Sequence, residues 1–194
     1  MLRDADPVTP PPLGRRALLK SGVLTIACVV AGNLACLTPA EAHAASATLR
    51  VLTPDEARTL GHLAETLVPG ATAAGVIEFV DSQLAAEATE SLLIARYFGV
   101  VPPFRDFYRG ALAGLDAAAH AAHRQPFAAL APEAALPLAA SLLAGPPPGW
   151  SGPPAPLFYL SVRGDAVDVV YGTPAGFEAL GVPYMEHIMP PRRW

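Results

Sequence analysis

Twenty-two prolines in 194 residues constrain this chain more than any other feature, because each removes a backbone donor and ends or bends a helix. Between them lies a sequence that is 52% hydrophobic but only 7% aromatic, so alanine supplies much of the apolar content. Valine, isoleucine and threonine, which strands favour, are sparse by comparison. The expected outcome is a set of short alanine-rich helices punctuated by prolines.

One helix start is explicit. Thr53-Pro54-Asp55-Glu56 puts threonine at the N-cap, proline at the first helical position and glutamate two residues later, a capping box with a proline start. Ala57, Leu60, Leu63, Ala64, Leu67 and Val68 recur at helical spacing before Pro69-Gly70 stops the run. A second helix is expected over 74–86, and residues 87–101 leave room for a short one ending at Gly99. The longest should open at Pro103, with Phe104, Phe107, Tyr108, Ala111, Leu112, Leu115 and Ala119 on one stripe. Two more are expected over 132–143, kinked at Pro137, and over 157–170. Gly145 to Pro154 reads as an extended loop carrying Trp150, and the tail from Gly181 to Trp194 is too proline-rich for regular structure. The fold class is all-α: a single small domain of about five helices, with a Pro-rich loop and an irregular C-terminal tail.

The first residues read as a targeting signal. Gly14-Arg15-Arg16-Ala17-Leu18-Leu19-Lys20 resembles the twin-arginine translocation signature, with Leu18 where phenylalanine is commoner. An apolar run from Val23 to Leu37 follows, then a small-residue stretch, Ala40 to Ala47, whose A-x-A steps place cleavage near Ala42, Ala44 or Ala47. At about 15 residues, interrupted by Gly32 and Asn33, the run is shorter than the roughly 20 that span a bilayer core. The expected division is a signal peptide over 1–44 and a periplasmic domain over 45–194. Both cysteines, Cys28 and Cys36, fall in the signal, so the mature domain would hold no disulfide, c-type haem attachment or iron–sulfur ligation.

Charge and motifs narrow the chemistry. Lys20 is the single lysine and no basic patch exists, which argues against nucleic acid as a partner. His120 and His123 share a helix face, but no H-E-x-x-H or cysteine pair joins them to make a metal site. No glycine-rich phosphate loop or nucleophile elbow is present. Asp55, Glu56 and Glu65 read as helix-start and surface charges, and Arg105, Asp106 and Arg109 as a solvated helix face. No catalytic, cofactor-binding or metal-ligating residue is assigned. Proteins that take the twin-arginine route generally fold first, often around a cofactor. A chain with the signal and no cofactor motif fits an escort for a partner that has the cofactor and no signal.

Several segments carry a family resemblance. Val51-Leu52-Thr53-Pro54-Asp55-Glu56-Ala57, the stretch from Val76 to Leu84, Tyr108-Arg109-Gly110-Ala111-Leu112, Leu115-Asp116 and His123-Arg124-Gln125-Pro126-Phe127 resemble the gluconate 2-dehydrogenase subunit 3 family. Asp168-Val169-Val170-Tyr171-Gly172-Thr173-Pro174, Gly181-Val182-Pro183-Tyr184 and Pro190-Pro191 look like that family's C-terminal signature. The resemblance implies a noncatalytic small subunit of a membrane-associated periplasmic dehydrogenase. Its partners would be a large FAD-containing flavoprotein of the glucose–methanol–choline type, often a multihaem cytochrome c subunit, and the twin-arginine translocase. The complex would oxidise a sugar, a sugar acid or a polyol.

Partner contact is expected where aromatics sit in Pro/Gly-rich segments rather than on periodic helices: Trp150, Tyr171, Tyr184, Pro190 and Trp194. The other reading of these aromatics is that they pack back over this domain's own helices. Two different functional classes stay open at this point, a free-standing periplasmic enzyme with an unrecognised site and a periplasmic binding protein.

Overall fold

The structure, a computed structural model, describes residues 24–182. In chain order these form β1 (Ile26–Val30), β2 (Asn33–Leu37), α1 (Pro39–Ala44), α2 (Pro54–Leu67), α3 (Val76–Leu84) and α4 (Ile94–Tyr97). Then come α5 (Phe104–His123), a 3-10 turn (Phe127–Ala129), α6 (Pro132–Ala144), α7 (Ala155–Tyr171) and α8 (Pro174–Ala179). The mainly helical expectation holds. The described residues contain eight α-helices rather than about five, because α1, α4 and α8 are only four to six residues long and too short to show a period.

Proline starts helices here more often than it ends them. Pro39, Pro54, Pro132 and Pro174 open α1, α2, α6 and α8, where the missing N–H has no intrahelical acceptor to lose. Thr38, Thr53 and Thr173 precede three of them, each hydroxyl accepting the backbone N–H two residues beyond the proline. At Thr38 and Thr53 a glutamate, Glu41 or Glu56, reaches back to complete the capping box. Helix α6 continues through Pro137, which lies on its exposed side where the absent donor costs least.

Helices α2 and α7 form the centre. They pack on each other, and each touches α3, α5 and α6. Leu60, Leu63, Phe79, Leu112, Leu115, Phe127, Leu142 and Phe158 fill the space between them. Phe107, Tyr108 and Phe158 meet edge-to-face, with centroids 5.6, 6.0 and 6.1 Å apart, the arrangement ring quadrupoles favour.

The composition did not foreshadow strands, yet β1 and β2 pair antiparallel with Ile26 opposite Leu37 and Val30 opposite Asn33. The turn residues Ala31 and Gly32 have φ of 49° and 81°, the doubly positive geometry that matches strand twist in a two-residue hairpin. Ile26 and Cys28 are buried, and β1 packs on α3 and α1. The apolar run read as the core of an export signal is therefore, in this structure, a hairpin seated on the helical domain.

Candidate functional site

Polar side chains in the interior are spent on holding loops. Asp81 of α3, 3% exposed, accepts the backbone N–H of Arg50 (2.7 Å), Val51 (2.9 Å) and Leu52 (2.8 Å), fixing the chain that enters α2. Gln83 Oε1 accepts the N–H of Leu92 at 2.8 Å. Asp116 accepts the N–H of Phe127 at 2.9 Å and the Thr59 hydroxyl at 3.2 Å. Glu65 accepts from Gly70 (2.8 Å) and Thr72 (2.9 Å). Burial pushes the Glu65 carboxyl up, but the donors from Gly70 and Thr72 outweigh it and the group lies below its ordinary value. So Glu65 is a structural acceptor, not a surface charge.

Arg109 likewise does more than cover a helix face. Its guanidinium reaches Glu56 Oε1 at 3.3 Å and donates to the Val51 carbonyl at 2.6 Å, tying α5 to the start of α2. Arg105 and Asp106 do form an exposed pair, 3.7 Å apart. Asp165 of α7, fully buried, accepts the Ile94 N–H at 2.9 Å and the Tyr108 hydroxyl, joining α7 to α4 and α5.

Among the described residues, three of the cavities are large enough to receive another molecule, one of them, of about 490 Å³, between α6 and the Pro146–Pro148 loop. Another, a groove of about 740 Å³, lies along α2 and the 3-10 turn, lined by Arg58, His62, Glu65 and Asp116 among others. Its carboxylates are committed as above, and Arg58 pairs with Asp55. His62 stacks edge-to-face on Phe127 at 5.3 Å, with a buried Nε2 that has no partner among the described residues. The third, a cleft of about 540 Å³, has mostly apolar walls. One wall comes from Leu24, Thr38, Pro39 and Ala40, and the other from the end of α7 and α8, including Val170 and Tyr171. It is where the N-terminal and C-terminal sides of the described chain converge.

A further apolar surface was not legible in advance. Around α4, Leu92, Tyr97, Phe98 and Val101 are 43%, 67%, 46% and 81% exposed, in a segment whose backbone is held by Gln83 and Asp165. Large apolar side chains clustered on a rigid support are what an interaction surface needs. The local signal was the sequence Tyr97-Phe98-Gly99-Val100-Val101, apolar without a helical or strand period.

The sequence-derived contact residues fare differently. Trp150 is half-buried: its ring tilts over Phe158 at 6.3 Å, its Nε1–H donates to the Pro153 carbonyl at 2.9 Å, and Gly114 leaves room for it. A Cβ at Gly114 would come within 3.1 Å of that ring, so the loop docks where α5 lacks side chains. Tyr171 is half-buried against the core and lines the apolar cleft. Tyr184, Pro190 and Trp194 lie outside the described residues, as do Arg15, Arg16, Leu18, Leu19 and Lys20 of the export signature. His120 and His123 are exposed in the last turn of α5.

Comparison with known proteins bears on the helices from α2 onward. The model of the gluconate 2-dehydrogenase subunit 3 family matches residues 54–190, from the first residue of α2 into the tail. No curated protein and no solved structure matches the chain significantly. With most of its length covered, from the capping-box proline of α2 to residue 190, the chain belongs to the gluconate 2-dehydrogenase subunit 3 family.

Proposed function

We propose that this chain is the noncatalytic small subunit of a membrane-associated periplasmic dehydrogenase that oxidises a sugar, sugar acid or polyol. In this reading it accompanies a large FAD-dependent flavoprotein of the glucose–methanol–choline type through maturation and export by the twin-arginine translocase. FAD resides in that large subunit and haem c in a cytochrome subunit that carries electrons onward. The observation that carries the reading is the family match from α2 to residue 190. The Arg15-Arg16 signature in a chain that belongs to a dehydrogenase complex supports the escort role.

The surfaces support a docking subunit. Interior carboxylates spent on backbone donors give a rigid scaffold, and the large exposed apolar side chains gather around α4. Such a surface suits a partner whose own apolar groups cover it.

Co-expression of the flavoprotein with this chain, Arg15-Arg16 intact or changed to Lys-Lys, tests the escort. Dehydrogenase activity should move from periplasm to cytoplasm in the Lys-Lys version. A flavoprotein that reaches the periplasm regardless leaves this chain at most a stabilising subunit. Affinity co-purification tests the contacts: Tyr97→Ala with Val101→Asp, and separately deletion of 181–194, should each reduce recovered flavoprotein by about tenfold, the loss typical of a few anchor residues. Full recovery with both variants would move the interface elsewhere, and loss of helical circular dichroism in the truncation would make the tail a structural element instead.

A further inference from the structure

We infer that residues 24–44 stay with the folded domain as its first structural layer, and that their docking closes the bonds after Ala42, Ala44 and Ala47 to a signal peptidase. The inference relies on the export reading only for the peptidase it names. The docking itself stands on contacts within the chain.

Burial comes first. Ile26 is 2% exposed, Cys28 5% and Ala42 0%, so the segment contributes to the core instead of lying on it. The same apolar side chains cannot fill this core and occupy a translocase or lipid at one time.

Ties of different kinds then hold the segment. His43 Nδ1 lies 3.0 Å from Glu78 Oε1, and that carboxylate is 9% exposed on α3. The Thr48 N–H donates to the Val29 carbonyl at 2.8 Å, bridging the chain beyond α1 back to β1. Immediately downstream, Asp81 grips the N–H groups of Arg50, Val51 and Leu52.

Gly75 is shaped for this contact. Its φ is +82°, and a Cβ built there would sit 2.0 Å from the carbonyl oxygen of Pro39, the first residue of α1. The α3 entry thus approaches the α1 backbone so closely that only glycine fits.

The candidate cleavage bonds are inside hydrogen-bonded structure. Ala45 N–H donates to the Glu41 carbonyl and Ala47 N–H to the Ala42 carbonyl, both at 2.9 Å. The capping box of Thr38 and Glu41 locks the other end of α1. A peptidase needs several residues in extended form, so cutting here requires α1 to undock and melt first. Twin-arginine cargo crosses folded, so the core that receives the segment is already formed when the translocase releases it, and redocking withdraws these bonds from a peptidase on the far side.

Two measurements on the full chain decide it. The intact mass of the chain recovered from the periplasm should include residues 24–44. A new N-terminus at His43, Ala45 or Thr48 overturns the inference. Independently of export, the purified chain can be digested with elastase, which cuts after small residues. The bonds after Ala42, Ala44 and Ala47 should survive about tenfold longer in wild type than in Gly75→Val, where the added side chain pushes α1 away. Equal rates overturn it. If Gly75→Val loses its helical circular dichroism, the His43→Ala, Glu78→Ala double variant replaces it, with roughly threefold faster cutting expected and equal rates again decisive against docking. A chain that stays in the cytoplasm removes the export reading, while the elastase comparison still settles the docking.

Discussion

Replacing Asp81 with alanine should lower stability by about 3 kcal/mol, because one carboxylate serves three backbone donors. The three do not contribute equally. Leu52 is buried, Val51 half-buried and Arg50 exposed, so water can satisfy the Arg50 N–H but not that of Leu52. An abandoned buried donor costs about 1–3 kcal/mol, and a bond to a charged acceptor is itself worth about 1.5–3. Those ranges, discounted for the exposed member, give the total. For a domain of this size it corresponds to a fall in melting temperature of about 6–12 °C. Asp81→Asn keeps an oxygen for Val51 and Leu52 but turns an amide toward Arg50, so it should lose less than half as much. Thermal melts of the two variants give the comparison. A loss below about 2 °C in the alanine variant would mean that the entry to α2 is held by its capping box and Arg109 instead.

The parts of the fold that the sequence revealed are those where one local rule acts alone. Thr53-Pro54-Asp55-Glu56 specified α2 because a capping box and an N1 proline need no tertiary information. The stripe from Phe104 to Ala119 specified α5 because twenty residues give a period time to repeat. The same T-P-x-E pattern stands at Thr38-Pro39-Ala40-Glu41, and it starts α1 by the same chemistry. Its last two residues, Ala40 and Glu41, also open the small-residue stretch to Ala47, since a leader and a short helix use the same alanines. The hairpin was hidden for a related reason: Ile26 to Leu37 is an apolar run, and only Ala31-Gly32 marks a turn.

The surfaces were less legible than the elements. Trp150 was picked out because it lies in a Gly/Pro loop, but whether its ring faces outward depends on Gly114 of α5, 36 residues away in sequence. Exposure of Tyr97 and Val101 depends on how Gln83 and Asp165 hold their segment, again from distant parts of the chain. Glu65 reads in sequence as an ordinary surface acid, and Asp81 carries no mark at all, because a carboxylate in sequence gives no sign of the backbone donors that will fold against it. Spacing reports a face, and only the tertiary structure reports what lies opposite.

Asp165 should make stability fall as pH rises toward neutrality, the reverse of the usual effect of a paired carboxylate. It is fully buried between α4, α5 and α7. Burial pushes its carboxyl from 3.8 up to about 7, against the donors from Ile94 and Tyr108, with a smaller upward push from the Asp168 charge. The same burial, with the neighbouring carboxylate, drives the Tyr108 phenol well above its ordinary value, so that group stays protonated across this range. A folded-state value above the unfolded one means that the native state holds a proton the unfolded chain releases. The stabilisation is therefore complete below about pH 4 and drains at about 1.4 kcal/mol per pH unit until pH 7, a total on the order of 4 kcal/mol. The lowered carboxyls of Glu41 and Glu65 act in the opposite sense, but they lose their contribution only as pH falls below about 4.5, outside this window. Asp165→Asn keeps an acceptor for the Ile94 N–H and removes that titration, so its urea midpoint should fall much less than that of wild type from pH 5 to 8, the remaining slope coming from Asp168, whose carboxyl burial also raises, and should overtake wild type at the upper end. Asp165→Ala, which strands both donors, should be weaker than the asparagine variant throughout. Wild type and Asp165→Asn showing the same pH slope would place the falling stability on another group, and Asp165 would then be charged and offset by its hydrogen bonds from pH 5 to 8.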